Sequence, residues 1–341
     1  MSRRNVLPLI IGMPCLGMRV QRRRDSLRRR CAALAGKVES LNMEKRAWGH
    51  IAALVTMFVW GATFVSTKVL LGYLTPFQIL LCRTALGFLA LCLVRPRILH
   101  LDRPSHELLV AGAGLTGTFG YYLAENTALQ YADASFVSIA VSTAPLFTAL
   151  LSFVLLREKG LGLRFLVGFV LAFAGIALIS LQEGPAHASA LGVVLCLVGA
   201  FTWGVYSVIV KRLSDLGYET IAITKRIFAW GLGYMLVIHF ATGAHMPLDA
   251  LATPIVWGNL AFLGLLASAG CFVTWGYSVK HLGPTLASAY IYSQAPITVI
   301  WAVLLLGEPL NAVIVAGFAL VIAGLALSEG FDRLIVERFS K

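Results

Sequence analysis

Three ionisable side chains, Arg83, Glu125 and Arg226, stand inside otherwise apolar stretches. Charges within lipid-like sequence are rare and tend to line pathways for ions, protons or solutes. Arg83 and Arg226 have the chemistry to attract an anionic group, such as a solute carboxylate, or to order a gate. The alternative is that each snorkels to the nearer interface or binds helix-end carbonyls. Glu125 is the candidate acid for binding a coupling proton; its alternative is an interfacial carboxylate paired with Lys68 or another cation. Lys68 and Lys211 end apolar segments, where a cation is favoured by the helix dipole. Glu158 and Glu308 precede apolar segments, where an acid is favoured by the same field.

A second group is polar without charge. Pro145 and Pro296 fall near the middle of apolar segments, where each removes a backbone hydrogen bond and invites a kink. Tyr290, Tyr292, Ser293 and Gln294 surround the second proline; Ser138, Ser142 and Thr143 surround the first. Such groups deep in a membrane face protein or water rather than lipid. The expected cavity lining is Trp60, Asn126, Ser142, Trp203, Tyr206, Tyr290, Ser293 and Gln294, packing being the alternative for each Trp or Tyr. Covalent chemistry is not expected, and neither is a metal or cofactor. The seven His and six Cys residues show no metal spacing, and no nucleophile–base motif is present. Gly112, Gly114 and Gly117 spell a dinucleotide fingerprint but lack the strand–turn–helix context it requires. Close helix approach explains these small residues better.

The elements that must hold these groups follow from composition. The 341 residues are 58% hydrophobic and 13% charged, against about 25% charged in soluble domains. Ten apolar segments, at 48–71, 77–95, 107–129, 134–156, 162–181, 189–211, 219–241, 254–279, 284–306 and 310–328, approach the roughly 20 residues a spanning helix needs. The breaks near 130 and 280 are weak, and only the combined length forces them. The net charge of +12 is concentrated at the N-terminus, where residues 1–46 hold twelve Lys/Arg against three acids. Lys and Arg otherwise fall in alternate loops. The loops near 72–76, 130–133, 182–188, 242–253 and 307–309 hold none. The positive-inside rule then puts both termini in the cytosol, with the chain in the cytoplasmic (inner) membrane. The basic stretch reads as an arm touching anionic headgroups rather than nucleic acid, or as sequence upstream of a start at Met43.

The chain also repeats itself. Trp60, Gly61, Lys68 and Arg83 recur as Trp203, Gly204, Lys211 and Arg226 at an offset of 143, and Ala144-Pro145, Glu158 and Gly168 recur as Ala295-Pro296, Glu308 and Gly317 at offsets of 149 to 151. Five segments per half, an odd number, forces the halves into opposite orientations, a recurring transporter arrangement. The expected fold is an all-α polytopic membrane protein of ten transmembrane helices in two inverted five-helix repeats. The expected organisation is a basic tail at 1–46, repeats at 47–182 and 188–328, and a tail at 329–341.

The segment from Trp60-Gly61 through Lys68, Pro76-Phe77 and Arg83 resembles the start of an EamA-type repeat of the drug/metabolite transporter superfamily. Ala144-Pro145, Glu158 and the glycine-rich fifth segment resemble its end. Two departures are Lys225 before Arg226, where the first half has Cys82, and the long basic N-terminus. The resemblance implies a carrier of small metabolites, often an exporter, working by alternating access. Its partners would be the bilayer, a small solute and protons. Import or exchange, and more remotely an intramembrane enzyme or a scaffold, are the alternatives.

Overall fold

The computed structural model describes residues 43–156, 162–181, 189–243 and 247–329. Two compact units divide the chain, Met1–Trp48 and Gly49–Lys341. Of the first, only residues 43–48 are described, and they are helical. Glu158 and most of both tails lie outside the described residues.

The described residues form helices and turns without strands. In chain order the long helices are α1 (Met43–Leu70), α2 (Pro76–Val94), α3 (104–131), α4 (Ala134–Leu156), α5 (Leu163–Ser180), α6 (Ala190–Asp215), α7 (Thr220–Thr242), α8 (Pro254–Leu282), α9 (Pro284–Leu306) and α10 (Ala312–Glu329). Eight of them are long and apolar enough to cross a membrane. The other two are α3, diluted by Gly, Thr, Tyr and Glu125, and α10, apolar only over Ala312–Leu327. Local chemistry sets the boundaries. Thr75 and Gln78 form a reciprocal capping box ahead of Pro76 at the start of α2. The weak break near 280 is a single residue, Gly283, at φ 85°, a conformation that glycine adopts without a Cβ clash. The break near 130 is the extended pair Ala132 and Asp133.

The halves interlock through repeat-equivalent positions. Gly61 of α1 packs under Ile297 of α9, and Gly204 of α6 packs against Phe147 and Thr148 of α4. Gly87 of α2 meets Ser268 of α8, while Gly231 of α7 meets Thr118 of α3. Gly175 of α5 lies against Gly317 of α10, and Gly168 against Gly324. As the sequence number rises along α5 it falls along α10, so these two helices cross antiparallel, as inverted repeats require. Bare glycine faces let the backbones approach closely, which is how packing without a hydrophobic drive is achieved inside a membrane.

Both third helices of the repeats unwind to π geometry at matching places, Gly114–Gly120 in α3 and Phe262–Gly270 in α8. Wider turns of this kind gather at functional sites. Both proline helices are irregular just before the ring. In α4, Ser142 and Thr143 interrupt the helix ahead of Pro145. In α9, Tyr290–Ser293 tightens to a 3-10 turn ahead of Pro296. The ring and its missing N–H displace the preceding turn.

Candidate functional site

The interior where the helices cross is aromatic. Trp60 of α1 and Trp203 of α6, the repeat-equivalent pair, meet edge to face at 5.1 Å between ring centroids. Trp275 of α8 lies 5.6 Å from Trp60 and 5.4 Å from Trp203. Tyr121 approaches Trp203 at 4.8 Å and Tyr206 approaches it at 4.9 Å. Edge-to-face and offset contacts at this range are the favoured arrangements for rings. Trp60 donates its indole N–H to the Ala267 carbonyl, 2.9 Å away, inside the π segment of α8. The remaining void, lined by Trp60, Thr63, Tyr121, Tyr122, Glu125, Trp203 and Gln294, measures about 10 Å³. That is room for about one water. The rings therefore occupy the space the sequence assigned to a solute, and the centre is closed.

One charged group, Glu125, lines this void, and a second, Arg83, lies against the ring of Tyr122 in its wall. Arg83 is fully buried. Its guanidinium carbon sits 3.7 Å above the centre of the Tyr122 ring, a cation–π contact strengthened by desolvation. Its Nε–H donates to the Ser268 hydroxyl at 3.2 Å. Glu125, 1% exposed, lines the void together with Tyr121, one turn earlier on α3, and lies in the field of Arg83. Among the described residues, Arg83 Nη1 and Nη2, Glu125 Oε1 and the indole nitrogens of Trp203 and Trp275 have no hydrogen-bond partner. Each unmade hydrogen bond to a buried polar group costs about 1–3 kcal/mol, more for a charge. Of these residues, Glu125 and Trp203 line the void.

The structure separates the sequence-chosen residues. Trp60, Trp203 and Gln294 reach the void, and Tyr206 packs beneath Trp203 and against Phe272 at 5.6 Å. Asn126 is buried, its amide donating to the Pro76 carbonyl at 3.3 Å and its Oδ1 unpartnered. Ser142 returns its hydroxyl to the Ser138 carbonyl at 2.7 Å, and Ser293 does the same to Tyr290 at 2.7 Å. Tyr290 bonds His50 Nδ1 at 2.6 Å. None of these last three lines the void. Arg83 does not snorkel to an interface. Glu125 does not meet Lys68, whose ammonium instead binds the α3 end at the Leu129 and Ala132 carbonyls, at 2.7 and 2.8 Å. Thr63, Tyr121, Tyr122, Ser268 and Trp275 were missed by sequence reasoning. The usable signal was the tyrosine pair one turn ahead of Glu125 on the same helix.

Polar clasps hold both ends. At one end, Lys68 grips α3 and Glu308 accepts the backbone N–H groups of Ala134 and Ser135 at 2.7 and 3.0 Å. An acid is favoured at that helix start, although the helix is α4 and not the α10 that follows Glu308 in sequence. At the other end, Arg226 pairs with Glu107 at 2.6 Å and donates to the Leu99 carbonyl at 2.5 Å. Arg95 pairs with Glu219 at 2.6 Å, and Lys211 pairs with Asp215. Among the described residues no group of His, Cys, Asp and Glu could hold a metal ion.

The sequence model of the EamA-like transporter family matches residues 47–181 and again 190–329. The chain belongs to the EamA-like transporter family. It is thus a multi-pass membrane transporter, and the two matches meet where α5 ends and α6 begins. An uncharacterized transporter of Archaeoglobus fulgidus is 29% identical over 286 residues, 82% of this chain and 96% of that one. A protein of Streptantibioticus cattleyicolor named probable terminal-alkyne amino-acid exporter is 28% identical over 293 residues, covering 84% and 94%. A solved crystal structure matches the EamA-like fold at a TM-score of 0.59 and 19% identity, over 84% of this chain and 98% of that chain.

Proposed function

We propose that the protein exports a small organic solute of amino-acid type from the cytosol across the cytoplasmic membrane, by alternating access and without covalent chemistry. The observation that carries this reading is a buried pair of opposite charges with unpartnered atoms, Glu125 Oε1 at the central void and Arg83 Nη1/Nη2 behind the Tyr122 ring that lines it. A zwitterion satisfies both at once, its carboxylate on the guanidinium and its ammonium on the Glu125 carboxylate. Charge-assisted hydrogen bonds of this sort are about twice as strong as neutral ones. The aromatic rings supply the wall for an apolar side chain. The name of the Streptantibioticus relative supports the same solute class.

With the centre closed and both ends clasped, the conformation is one in which the centre is open to neither side. Admission of a solute requires Trp60 and Trp203 to part. The irregular turns before Pro145 and Pro296 are the places where α4 and α9 would bend. Glu125 would also take up a proton when no ammonium occupies it, which couples solute and proton movement. Both tails would lie in the cytosol.

The test is transport of labelled amino acids by reconstituted vesicles of known orientation, with and without an imposed pH gradient. The wild type should move at least one zwitterionic solute towards the face opposite the basic loops. Glu125→Gln should lower that flux at least about tenfold, as expected for a charged contact, and abolish its response to the pH gradient. Flux that keeps its full pH response in Glu125→Gln removes Glu125 as the coupling group. Failure of every zwitterion while an anion or neutral solute moves removes the solute class.

A further inference from the structure

Away from the centre, a cavity of about 420 Å³ opens between α2, α7 and the linker that joins α2 to α3. It is of ligand size. It shares no lining residue with the central void, so it is not a part of the solute site described above. Phe88, Cys92, Ile98 and Trp230 make an apolar wall, and Lys225 and Arg226 lie in it with Glu107. On the α2 side, Leu89 and Leu93 are exposed, Leu93 at 83%, which is a lipid-facing surface in a membrane transporter. Charge collects at this end. Arg97 and Arg103 on the linker are exposed. The neighbouring acids are already engaged: Glu107 by Arg226, Glu219 by Arg95, and Asp102 by the Tyr218 hydroxyl at 3.0 Å. The cations keep donors in hand. Lys225 gives two of its three N–H bonds to the Arg95 and Arg97 carbonyls, at 2.5 and 2.8 Å. Arg226, among the described residues, uses Nε, Nη1 and Nη2 once or more towards Glu107 and Leu99 and carries five N–H bonds in all.

An apolar slot open to lipid, with surplus cations at the level where headgroups lie, fits an amphiphile better than a soluble anion. We propose that this groove binds an anionic phospholipid, one acyl chain lying along Phe88, Cys92 and Trp230 and the phosphate seated beside Lys225 and Arg226. Basic pockets between helices at the cytosolic face recognise acidic headgroups by the same combination of charge and burial. Because Lys225 and Arg226 also hold the linker carbonyls, the bound lipid braces that linker against α7.

Native mass spectrometry of the full-length protein, titrated with phosphatidylglycerol and with phosphatidylcholine of equal chain length, tests the site. The wild type should prefer phosphatidylglycerol by about tenfold, the lower end of what one charge-assisted contact provides. Arg226→Gln should erase that preference. Cys92→Phe, which leaves every charge in place and fills the slot, should weaken both lipids and carries the test if Arg226→Gln does not fold. Equal affinity of the wild type for the two lipids overturns the proposal, and so does unchanged binding in Cys92→Phe. Displacement of phosphatidylglycerol by glycerol 3-phosphate overturns it in favour of a soluble phosphate ligand.

Discussion

Arg83 and Arg226 correspond by sequence motif, 143 residues apart, yet they live in opposite environments. Arg226 is partly exposed, pairs with Glu107 and binds a linker carbonyl. Arg83 is fully buried, rests on Tyr122, and leaves both terminal nitrogens unpartnered. The difference lies in the facing helix. At the offset of 150 that sets Glu125 opposite Trp275 in the repeat, Glu107 corresponds to Trp257. Arg226 therefore finds an acid near the mouth of its helix pair, whereas Arg83 has an exposed tryptophan in that place. It turns inward to the ring and hydroxyl that α3 and α8 offer. One repeat uses its arginine to fasten an end and the other buries it over a tyrosine ring. A duplicated, inverted chain can thus specialise a single position without changing it, by changing its partner.

The largest expected effect comes from treating the two arginines alike. Arg83→Gln should lower solute flux in vesicles by about a hundredfold, the upper range for a buried charged contact. Arg226→Gln should stay within about fivefold, as a partly exposed ion pair implies. Equal losses would erase the division of labour. Next, Trp257→Glu supplies the acid that the first repeat lacks. It should draw Arg83 outward and cost about tenfold in flux, one charged contact's worth; wild-type flux would mean that the facing residue does not decide where Arg83 points. Smaller is the symmetric packing. A Cβ on Gly175 would lie 2.5 Å from the Gly317 carbonyl oxygen, so Gly175→Ala should destabilise by about 1–3 kcal/mol, read as a lower thermal transition in detergent. Least of all, Glu107→Gln should shift stability by no more than about 1 kcal/mol, because its pair with Arg226 is only partly desolvated. A larger shift would make that clasp a structural keystone.

Much of the architecture was legible because lipid imposes strong rules on composition. The apolar segments, the loop charges and the paired motifs around Gly61 and Gly204 all follow from local chemistry, and α1 to α10 appear close to where those signals put them. The two weak breaks were marked by little besides excess length, since the single residue Gly283 and the pair Ala132-Asp133 turn the chain without a long polar loop. The site was legible in part. Trp60, Trp203, Gln294, Arg83 and Glu125 were singled out because polarity and repetition mark them. Ser142, Ser293 and Tyr290 looked identical by those criteria, but their hydroxyls are bonded within their own helices or to His50. Sequence shows that a polar group is in the membrane and not which way it faces.

The amino-acid sequence alone determined that this chain is helical, crosses a membrane repeatedly and is built twice over, because each of these depends on composition or spacing along one helix. Only the tertiary structure decided that the centre is shut by Trp60, Trp203 and Trp275, that Arg83 lies over Tyr122 while Arg226 meets Glu107, and that Glu308 caps α4 from across the molecule. Those outcomes depend on distances between helices far apart in the chain. They are fixed by which glycine face admits which neighbour.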